Sequence, residues 1–388
     1  MKKMIVVLCF LLIAGISSGQ PKKTGVKSTV PIPTRLNLKA EAWDFAEGRV
    51  SFIEHRGVAA IRMDEKSGVM LYKNLNFSDG TIEFDVEVNQ PQPFPSLYFR
   101  WKDKDETEHV YLRTGVAGKR NAFDAVQYAS IIKGVNLWDL QHEFQTAAEI
   151  KIKDWNHVRM VISGKQLQVY VNNNTDPVLE VPCMEGNTSD GRIGIGTGFP
   201  GQAIFANIIV TPGATEGLSP KPGADITAHD TRYIRNWKVS MPDSLNYGNE
   251  LNAFMLPKTD SGWDQVQTER RGLVNLSRKF GFSSQRKYVW LTAKIRSEFN
   301  QVQTMKLGFS DEVWVFVNQR PVYTDKNIYY QNMRKSPNGR ISIENSSFLL
   351  PLQKGDNDLI IGISNDFYGW GVMARLEHLE GIEVVDNW

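Results

Sequence analysis

The chain has very little cysteine. Its 388 residues contain only Cys9 and Cys183, and Cys9 falls within an apolar run near the N-terminus. If that run is removed, Cys183 has no cysteine left with which to form an internal disulfide. This excludes the small disulfide-stabilised folds of secreted proteins, and we expect stability to come from the size of the hydrophobic cores.

The N-terminus has the pattern of a secretory signal peptide. Two lysines precede an apolar run from Met4 to Ile16, and small residues follow up to Gly19. We predict a signal peptide over residues 1–19, cleaved near Gly19, and a secreted or periplasmic mature protein. Residues 20–35 contain several prolines and lysines, which predicts an extended tether.

Strong net charge is lacking, and so are long apolar runs after the N-terminus. A net charge of +2 over 388 residues gives no long-range field for a nucleic acid or an anionic membrane surface. No later apolar run approaches the roughly 20 residues that a membrane-spanning helix needs. We therefore predict neither a nucleic-acid partner nor a membrane span.

Motifs for metal ions, phosphates and nucleophiles are missing as well. The histidines show no ligand spacing, no glycine-rich phosphate loop opens a helix, and no serine lies in a nucleophile elbow. We expect no cofactor and a surface position for every histidine, namely His55, His109, His142, His157, His229 and His378. A structural calcium ion stays open, because Asp79 beside Gly80 and Asp356 beside Asn357 supply oxygen ligands.

What the chain does have is a succession of short strand-like segments. They alternate apolar and polar residues, Gly, Asn, Asp and Pro turns separate them, and the sequence shows no long amphipathic helix. This pattern predicts an all-β fold with two β-sandwich (jelly-roll) domains in tandem. The predicted segments are a first sandwich over 36–211, a linker rich in Gly, Pro, Ala, Thr and Ser over 212–230, and a second sandwich over 231–388.

The most informative segment is a turn and acidic strand over Phe77–Val88. Successive side chains of a strand point to opposite faces, so that its four apolar side chains lie on one face and its three carboxylates on the other. The carboxylates belong to Glu83, Asp85 and Glu87. Such a strand belongs either to a glycan-cleaving cleft or to a solvated, ion-paired sheet surface.

Neighbouring segments add candidate ligand-binding residues. In Ser96–Trp101 the alternation buries Leu97, Phe99 and Trp101 and turns Tyr98 and Arg100 to the other face, and the next segment turns Tyr111 and Arg113 outward in the same way. If these strands lie beside the acidic one, a single face carries carboxylates, guanidinium groups and phenols. Exposed ion pairs add only about 0 to 1 kcal/mol of stability each, so that stability alone does not explain such a face. Its hydrogen-bonding groups and rings suit a sugar or uronic acid as ligand. A solvated sheet surface with incidental salt bridges stays the alternative.

A further candidate is the segment Gln127–Leu140. It places Trp138 beside Asp139 after a glycine turn, so that a loop carrying both, with Gln127 at its start, could close over a sugar ring. The alternative is that Trp138 packs beneath the loop.

The residues also resemble known families. Phe77–Val86, Asp154–Arg159 and Val169–Asn172, with the closing segments Gly191–Gly196 and Phe205–Val210, resemble concanavalin A-like or laminin G-like jelly rolls. Among bacterial members, the 3-keto-disaccharide hydrolase group is similar in pattern. The second half, through Val313–Asn318, Leu350–Asn357 and Gly369–Gly371, resembles the galactose-binding-like jelly rolls that are appended to glycan-degrading enzymes. The resemblance implies fold more than function, since these superfamilies hold lectins, adhesion modules, hydrolases and lyases.

The acidic strand also has the spacing of the family 16 glycoside hydrolase motif. That resemblance implies Glu83 as nucleophile and Glu87 as general acid/base, with Asp85 between them. Family 16 enzymes usually carry a Trp-Pro-rich strand before the acidic one, whereas here the segment Pro93–Tyr98 comes after it. The order differs, which favours the solvated or ion-paired interpretation.

Three hypotheses for function follow. The first is an exported carbohydrate-binding protein of a glycan-utilisation system, which binds a polysaccharide or oligosaccharide on the open face of the first jelly roll. The second is a glycoside hydrolase or related glycan-cleaving enzyme that uses carboxylates of that face. The third is a non-catalytic adhesion or assembly module whose partners are proteins of the cell envelope.

Overall fold

The computed structural model describes residues 31–46, 49–64, 66–89, 93–119, 121–198, 201–258 and 262–385. The predicted signal peptide over 1–19 and most of the predicted tether lie outside the described residues. From Ile32 onward the chain forms one compact unit. None of the described helices is long and apolar enough to cross a membrane.

The fold is all-β, as the sequence predicts. The strands of the N-terminal half are β1 (Thr34–Arg35), β2 (Trp43–Asp44), β3 (Val50–His55), β4 (Val58–Met63), β5 (Met70–Tyr72), β6 (Gly80–Val88), β7 (Ser96–Trp101), β8 (Glu106–Leu112), β9 (Val126–Ile132), β10 (Val135–Asn136), β11 (Gln145–Thr146), β12 (Trp155–Ser163), β13 (Gln166–Val171), β14 (Leu179–Val181), β15 (Arg192–Gly196) and β16 (Ala203–Pro212).

The C-terminal half adds twelve more strands and a short helix, α1 (Leu276–Phe280). The strands are β17 (Asn236–Val239), β18 (Asp243–Ser244), β19 (Asp264–Gln267), β20 (Leu273–Asn275), β21 (Lys287–Ser297), β22 (Gln301–Ser310), β23 (Glu312–Val317), β24 (Arg320–Lys326), β25 (Ser346–Leu352), β26 (Gly355–Ser364), β27 (Gly371–Leu376) and β28 (Ile382–Val385). Single 3₁₀ turns lie at Ala40–Ala42, Thr114–Val116, Ala253–Met255 and Arg270–Gly272.

The strands form four antiparallel sheets. Sheet A has the order β14-β13-β12-β6-β16-β4-β3 with β1 on β16, and sheet B has the order β10-β9-β8-β7-β15-β5-β2 with β11 on β9. Sheet C has the order β19-β17-β21-β26-β23-β24 with β18 and β28 on β21, and sheet D has the order β20-β27-β22-β25. Sheets A and B thus come from residues before the predicted linker, and sheets C and D from residues after it.

Each half is a sandwich of two sheets over one hydrophobic core. The N-terminal core combines Ile82 and Phe84 of β6 in sheet A with Leu97 and Phe99 of β7 in sheet B. The C-terminal core combines side chains of sheets C and D in the same way. The alternation of the acidic strand is confirmed, since its apolar side chains are almost completely buried in the N-terminal core.

Two connecting segments are more ordered than their composition predicts. Thr34–Arg35, predicted as part of the tether, pairs with β16. The linker runs along the N-terminal sandwich, where the Lys165 amide donates to the Pro220 carbonyl and the Gly223 amide to the Pro182 carbonyl. Backbone hydrogen bonds of this kind fix a segment whatever its composition.

The two sandwiches pack directly on each other. Ile132, Val135, Leu137 and Leu140 of the N-terminal sandwich share a hydrophobic cluster with residues of the C-terminal one. Beside this cluster, the Gly369 amide donates to Asp139 Oδ2 at 3.1 Å. A Cβ on Gly369 would lie 2.6 Å from Asp139 Oδ1 and 2.9 Å from Leu140 Cγ, so that a larger residue would have to displace these side chains. The packing of the two sandwiches fixes the shape of the surface between them.

Candidate functional site

The structure divides the predicted ligand face between two sheets. The acidic strand β6 pairs with β12 and β16 in sheet A, whereas β7 and β8 lie in sheet B. Glu83, Asp85 and Glu87 point outward from sheet A, and Tyr98 and Tyr111 point outward from sheet B, on the opposite side of the sandwich. The expectation that all these groups share one face is therefore wrong, because the strands that follow one another in sequence here belong to different layers.

The three carboxylates of β6 are engaged in ion pairs. His157 Nδ1 lies 2.7 Å from Asp85 Oδ1, and His157 Nε2 lies 3.4 Å from Glu83 Oε2. Glu87 is only 3% exposed and pairs with Arg56 Nε at 2.9 Å and His55 Nε2 at 3.1 Å. These contacts agree with the ion-paired interpretation of the acidic strand.

The pKa values of the Asp85–His157 pair shift in the directions that an ion pair produces. Burial by itself raises the pKa of Asp85, but hydrogen bonds from His157 and Asn207 outweigh it and lower the pKa below its usual value. The hydrogen bond to Asp85 raises the pKa of His157, against the effect of burial. Both groups thus favour the charged form.

A bulge in β7 removes Arg100 from the predicted face. Arg100 has a φ of 52°, and the pairing of β7 with β15 shifts register between the Tyr98 and Trp101 positions. The Arg100 side chain is buried and donates to Asp79 Oδ1 at 2.8 Å and to the Ser78 carbonyl at 2.9 Å. The extra residue also shifts the alternation, so that Trp101 lies with Tyr98 rather than in the core. The predicted positions of Arg100 and Trp101 are both wrong for this reason.

The candidate functional site is a groove on the outer face of sheet B, at its junction with the C-terminal sandwich. It encloses about 420 Å³, within the usual range of roughly 300–1,000 Å³ for ligand pockets. Its lining is dominated by aromatic rings, with a few polar groups among them. The lining residues are Phe94, Ser96, Tyr98, His109, Tyr111, Arg113, Asn136, Trp138, Gly198, Tyr329, Phe367 and Tyr368.

The floor of the groove is a row of stacked rings on neighbouring strands. Tyr98 of β7 pairs with His109 of β8 in the sheet register. Their rings stack at 5.1 Å with an interplanar angle of 11°, and His109 stacks on Tyr111 at 5.2 Å. Rings stacked in this way hold one another in place, and together they form an aromatic floor along β7 and β8.

Buried polar groups hold this floor in place. Gln127 Oε1 accepts hydrogen bonds from the Tyr111 hydroxyl at 2.8 Å and from Arg113 Nη2 at 2.6 Å. Gln127 Nε2 donates to the Trp138 carbonyl at 2.6 Å. Gln127 itself is completely buried and does not line the groove. It was predicted as a ligand contact, and the structure places it behind the contacts as a positioning residue.

Asp139 also lies outside the groove. Its side chain is buried against the C-terminal sandwich, where it accepts the Gly369 amide. Burial, with the nearby charge of Asp311, raises the pKa of Asp139 well above its usual value. Trp138, by contrast, is largely buried and still lines the groove. Its position therefore agrees in part with packing beneath the loop and in part with contact to a ligand.

The C-terminal sandwich supplies the other wall. Tyr329 meets the Trp138 ring edge-on at 4.8 Å and stacks on Phe367 at 5.9 Å, and Tyr368 lies 5.9 Å from Trp138. The backbone amide of Phe367 donates to Asp311 Oδ2 at 2.7 Å, which fixes this loop. Burial raises the pKa of Asp311 to about 7.

An ionic bridge ties the two walls together. Asp124 Oδ2 lies 3.6 Å from Arg113 Nε in the N-terminal sandwich and 3.2 Å from Arg340 Nη2 in the C-terminal one. Arg340 also lies 5.1 Å from the centre of the Trp138 ring. A buried carboxylate between two guanidinium groups keeps the distance between the walls constant.

Burial shifts the pKa values of the titratable side chains in the groove. It raises the pKa of Tyr111 to about 12 and raises that of Tyr98. It lowers the pKa of His109 to about 4, and the charge of Arg113 acts in the same direction, against the hydrogen bond that His109 donates to Asn136. At neutral pH the stacked rings are therefore all uncharged. The prediction of a surface position is wrong for His109, which is 3% exposed.

The neutral His109 should make the fold sensitive to acid. A pKa of about 4 in the folded state, against about 6.5 in the unfolded chain, corresponds to roughly 3 kcal/mol. Above pH 6.5 neither state is protonated; as the pH falls toward 4 the unfolded state gains a proton that the folded state does not, so that stability falls. We expect His109→Gln to lose less stability than the wild type between pH 7 and pH 4 in urea unfolding experiments.

The matched control for this experiment is His229→Gln, because His229 is exposed. It should follow the wild-type pH dependence. An equal loss of stability in His109→Gln and the wild type would show that His109 is not held neutral.

Several groove residues were missed by sequence reasoning. His109 lies two residues before Tyr111 and therefore on the same face of β8, so that the alternation of this strand indicated its position in the groove. The sequence places Tyr329 in a loop after a strand, and Phe367 and Tyr368 follow an Asn-Asp turn; neither pattern gives a hint of a groove. Their position depends on the packing of the second sandwich on the first.

Within the described ranges, no cluster of three or more His, Cys, Asp or Glu side chains is arranged to hold a metal ion. The two acidic residues considered for calcium have other partners: Asp79 accepts from Arg100 and the Gly164 amide, and Asp356 pairs with Arg296. A calcium site at either position therefore gains no support.

The fold and the groove define a class, a tandem β-sandwich protein with an aromatic groove at the junction of its sandwiches. No protein-family model matches the chain. Among curated proteins it is similar to a levanase from Bacillus sp. (strain L7), at 24% identity over 210 residues, which are 54% of this chain and 21% of the levanase. This chain thus matches only about a fifth of that enzyme.

Solved structures with similarity to the chain include two glycan-related proteins. One is the carbohydrate-binding module CBM66 from Bacillus subtilis, with 16% identity and a TM-score of 0.34, covering 44% of this chain and 96% of the module. Another is a putative glycosyl hydrolase from Parabacteroides distasonis, with 12% identity and a TM-score of 0.31, covering 46% of this chain and 99% of that one. Both TM-scores lie below 0.5.

Proposed function

We propose that this protein binds carbohydrate in the groove between its two sandwiches. The observation that carries the proposal is the groove itself: about 420 Å³, walled by aromatic rings from both sandwiches, with a few polar groups among them. Sugar rings present one apolar face of C–H groups and a rim of hydroxyls. A surface of flat rings with hydrogen-bonding groups beside them complements both properties.

Two rings on opposite sides of the groove keep exposed surface. Tyr98 is half-buried in the floor, and Tyr368 is 48% exposed on the opposite wall. Both residues line the groove, as does the half-buried Asn136, whose amide supplies hydrogen-bonding groups at its edge. A ligand between the walls would thus contact one ring from each sandwich.

The groove favours binding over cleavage by paired carboxylates. Glycoside hydrolysis ordinarily needs two carboxyl groups on either side of the scissile bond. None of the described residues that line the groove is an aspartate or glutamate. The three carboxylates of β6 lie on the other sheet and are paired with histidine and arginine.

The similarity to levanase suggests the first ligand to try. Levan is the substrate that its name states, and the matched segment of 210 residues overlaps more than half of this chain. We therefore propose levan as the first probe, followed by a panel of other plant and bacterial polysaccharides. Export stays a prediction of the N-terminal sequence pattern, since residues 1–19 lie outside the described ranges, and a role in a glycan-utilisation system stays a prediction as well.

The experiment compares Tyr98→Ala with the wild type. Removing the ring should weaken binding to the polysaccharide by about two- to tenfold, because a stacked aromatic contact is worth about 0.5 to 1.5 kcal/mol. Affinity electrophoresis through gels that contain each polysaccharide identifies the one that binds, and titration calorimetry then measures the affinity. Release of reducing ends is followed in the same samples.

The matched control is Tyr323→Ala, which removes a half-buried tyrosine that stacks on Phe348 in the C-terminal sandwich and does not line the groove. It should bind as the wild type does. The proposal would be overturned if none of the polysaccharides retained the wild type. It would also be overturned if Tyr98→Ala and Tyr323→Ala weakened polysaccharide binding equally. Release of reducing ends by the wild type would show cleavage in place of simple binding.

A further inference from the structure

We infer that the carbohydrate site continues beyond the groove into a second cavity, and that its ligand is an extended oligosaccharide chain rather than a single sugar. This inference rests on the proposed function. The second cavity encloses about 590 Å³ at the end of sheet B. Trp101 lies on its wall, together with Asn76, Lys102, Asn187, Asp190 and Arg192.

A direct ring contact joins the two cavities. The Tyr98 ring, in the floor of the groove, meets the Trp101 ring at 5.5 Å with an interplanar angle of 83°. Tyr98 lines the first cavity and Trp101 the second. Their ring centres are 5.5 Å apart, so that the two rings form one continuous aromatic surface from the first cavity to the second.

The bulge at Arg100 creates this continuity. Strict alternation would put Tyr98 and Trp101 on opposite faces of β7. The positive φ of Arg100 inserts one extra residue and turns the Arg100 side chain toward Asp79. Both rings then lie on the same face. Bulges of this kind commonly redirect a side chain beside a functional site.

Hydrogen bonds between side chains organise the wall of the second cavity. Asn76 Nδ2 donates to Asp190 Oδ2 at 2.7 Å, and Asn187 Nδ2 donates to Glu106 Oε2 at 3.0 Å. From the C-terminal sandwich, Arg278 Nη1 donates to Asn187 Oδ1 at 2.5 Å. A cavity whose wall is fixed before binding loses little conformational entropy when a ligand enters.

The chemistry of this cavity suits a carbohydrate chain. Its polar groups include amides, a lysine and carboxylates, so that donors and acceptors are both present around one half-buried indole ring. Charges of both signs line it, which gives no preference for a strongly anionic polymer. Neutral hydroxyl groups can pair with every one of these groups.

The test measures affinity as a function of chain length. Levan oligosaccharides from the disaccharide to the hexasaccharide are titrated into the wild type and into Trp101→Ala, Trp101→Phe and Tyr98→Ala. We expect wild-type affinity to rise beyond the disaccharide, and Trp101→Ala to lose about tenfold for the hexasaccharide and little for the disaccharide. Trp101→Phe keeps a ring and should retain most of the chain-length dependence, whereas Tyr98→Ala should weaken all lengths.

The matched control is Trp155→Ala, which removes a half-buried tryptophan on sheet A. Circular dichroism confirms that each variant is folded. Wild-type affinity that is the same for the disaccharide and the hexasaccharide, and unchanged in Trp101→Ala, would overturn the extended site while leaving the groove as a binding site. Failure of the wild type to bind any levan oligosaccharide or any polysaccharide of the panel would overturn the proposed function itself.

Discussion

Replacing Gln127 by leucine should lower the free energy of unfolding by about 2 to 6 kcal/mol and abolish measurable carbohydrate binding. Gln127 bonds the Tyr111 hydroxyl, Arg113 and the Trp138 carbonyl. Leucine has similar volume but leaves the Tyr111 hydroxyl proton and the Trp138 carbonyl without these partners. Each buried polar group left unpaired costs about 1 to 3 kcal/mol. Urea unfolding measures the stability, and affinity electrophoresis measures the binding.

The control for this substitution is Gln168→Leu. Gln168 lies on the outer side of sheet A and bonds Glu180 in a solvent-exposed pair. Its replacement should change stability by less than about 1 kcal/mol. If Gln127→Leu were as stable as Gln168→Leu and still bound carbohydrate, the buried amide would not position the groove.

Replacing Glu312 by leucine should lower the free energy of unfolding by about 3 to 5 kcal/mol. Glu312 is 3% exposed and pairs with the buried Arg286 at 2.9 Å and with Lys326 at 2.9 Å, and it accepts from the Ser364 hydroxyl at 2.6 Å. Without this carboxylate, the buried Arg286 guanidinium loses the one counter-ion that it has among the described residues. Losing one partner of a buried ion pair is strongly destabilising. Urea unfolding monitored by tryptophan fluorescence measures the change.

Glu383→Leu is the matched control for Glu312→Leu. Glu383 also pairs with an arginine, Arg296, at 3.1 Å, but both side chains are at least half exposed. Exposed pairs contribute about 0 to 1 kcal/mol. Equal destabilisation by the two substitutions would mean that burial does not govern the strength of the Glu312 pair.

Much of the fold could be predicted from local sequence pattern. The inward face of β6 follows from its apolar period of two, and the bounds of β7 match the predicted segment Ser96–Trp101. The hairpin of β12 and β13 follows from two apolar runs about a glycine turn. Patterns of this kind are local, so that a single sequence carries them.

The candidate site was only partly predictable, for two physical reasons. The alternation places Tyr98, Tyr111 and Arg113 outward on their strands, but it cannot say which strands pair, and β6 lies in a different sheet from β7. No sequence pattern indicates a positive φ at Arg100, so the bulge that moves Trp101 to the outer face of β7 could not be predicted. The far wall comes from residues more than 200 positions along the chain, and only tertiary packing brings it to the groove.

The joint between the sandwiches has a consequence for how such a site diversifies. Tyr329, Phe367 and Tyr368 form one wall on loops of the C-terminal sandwich, while sheet B forms the floor. Exchange of the whole second module by recombination would therefore replace that wall and leave the floor intact. A new ligand preference could then arise in one genetic step, provided that the incoming module keeps a glycine at the position of Gly369 so that it can seat against Asp139.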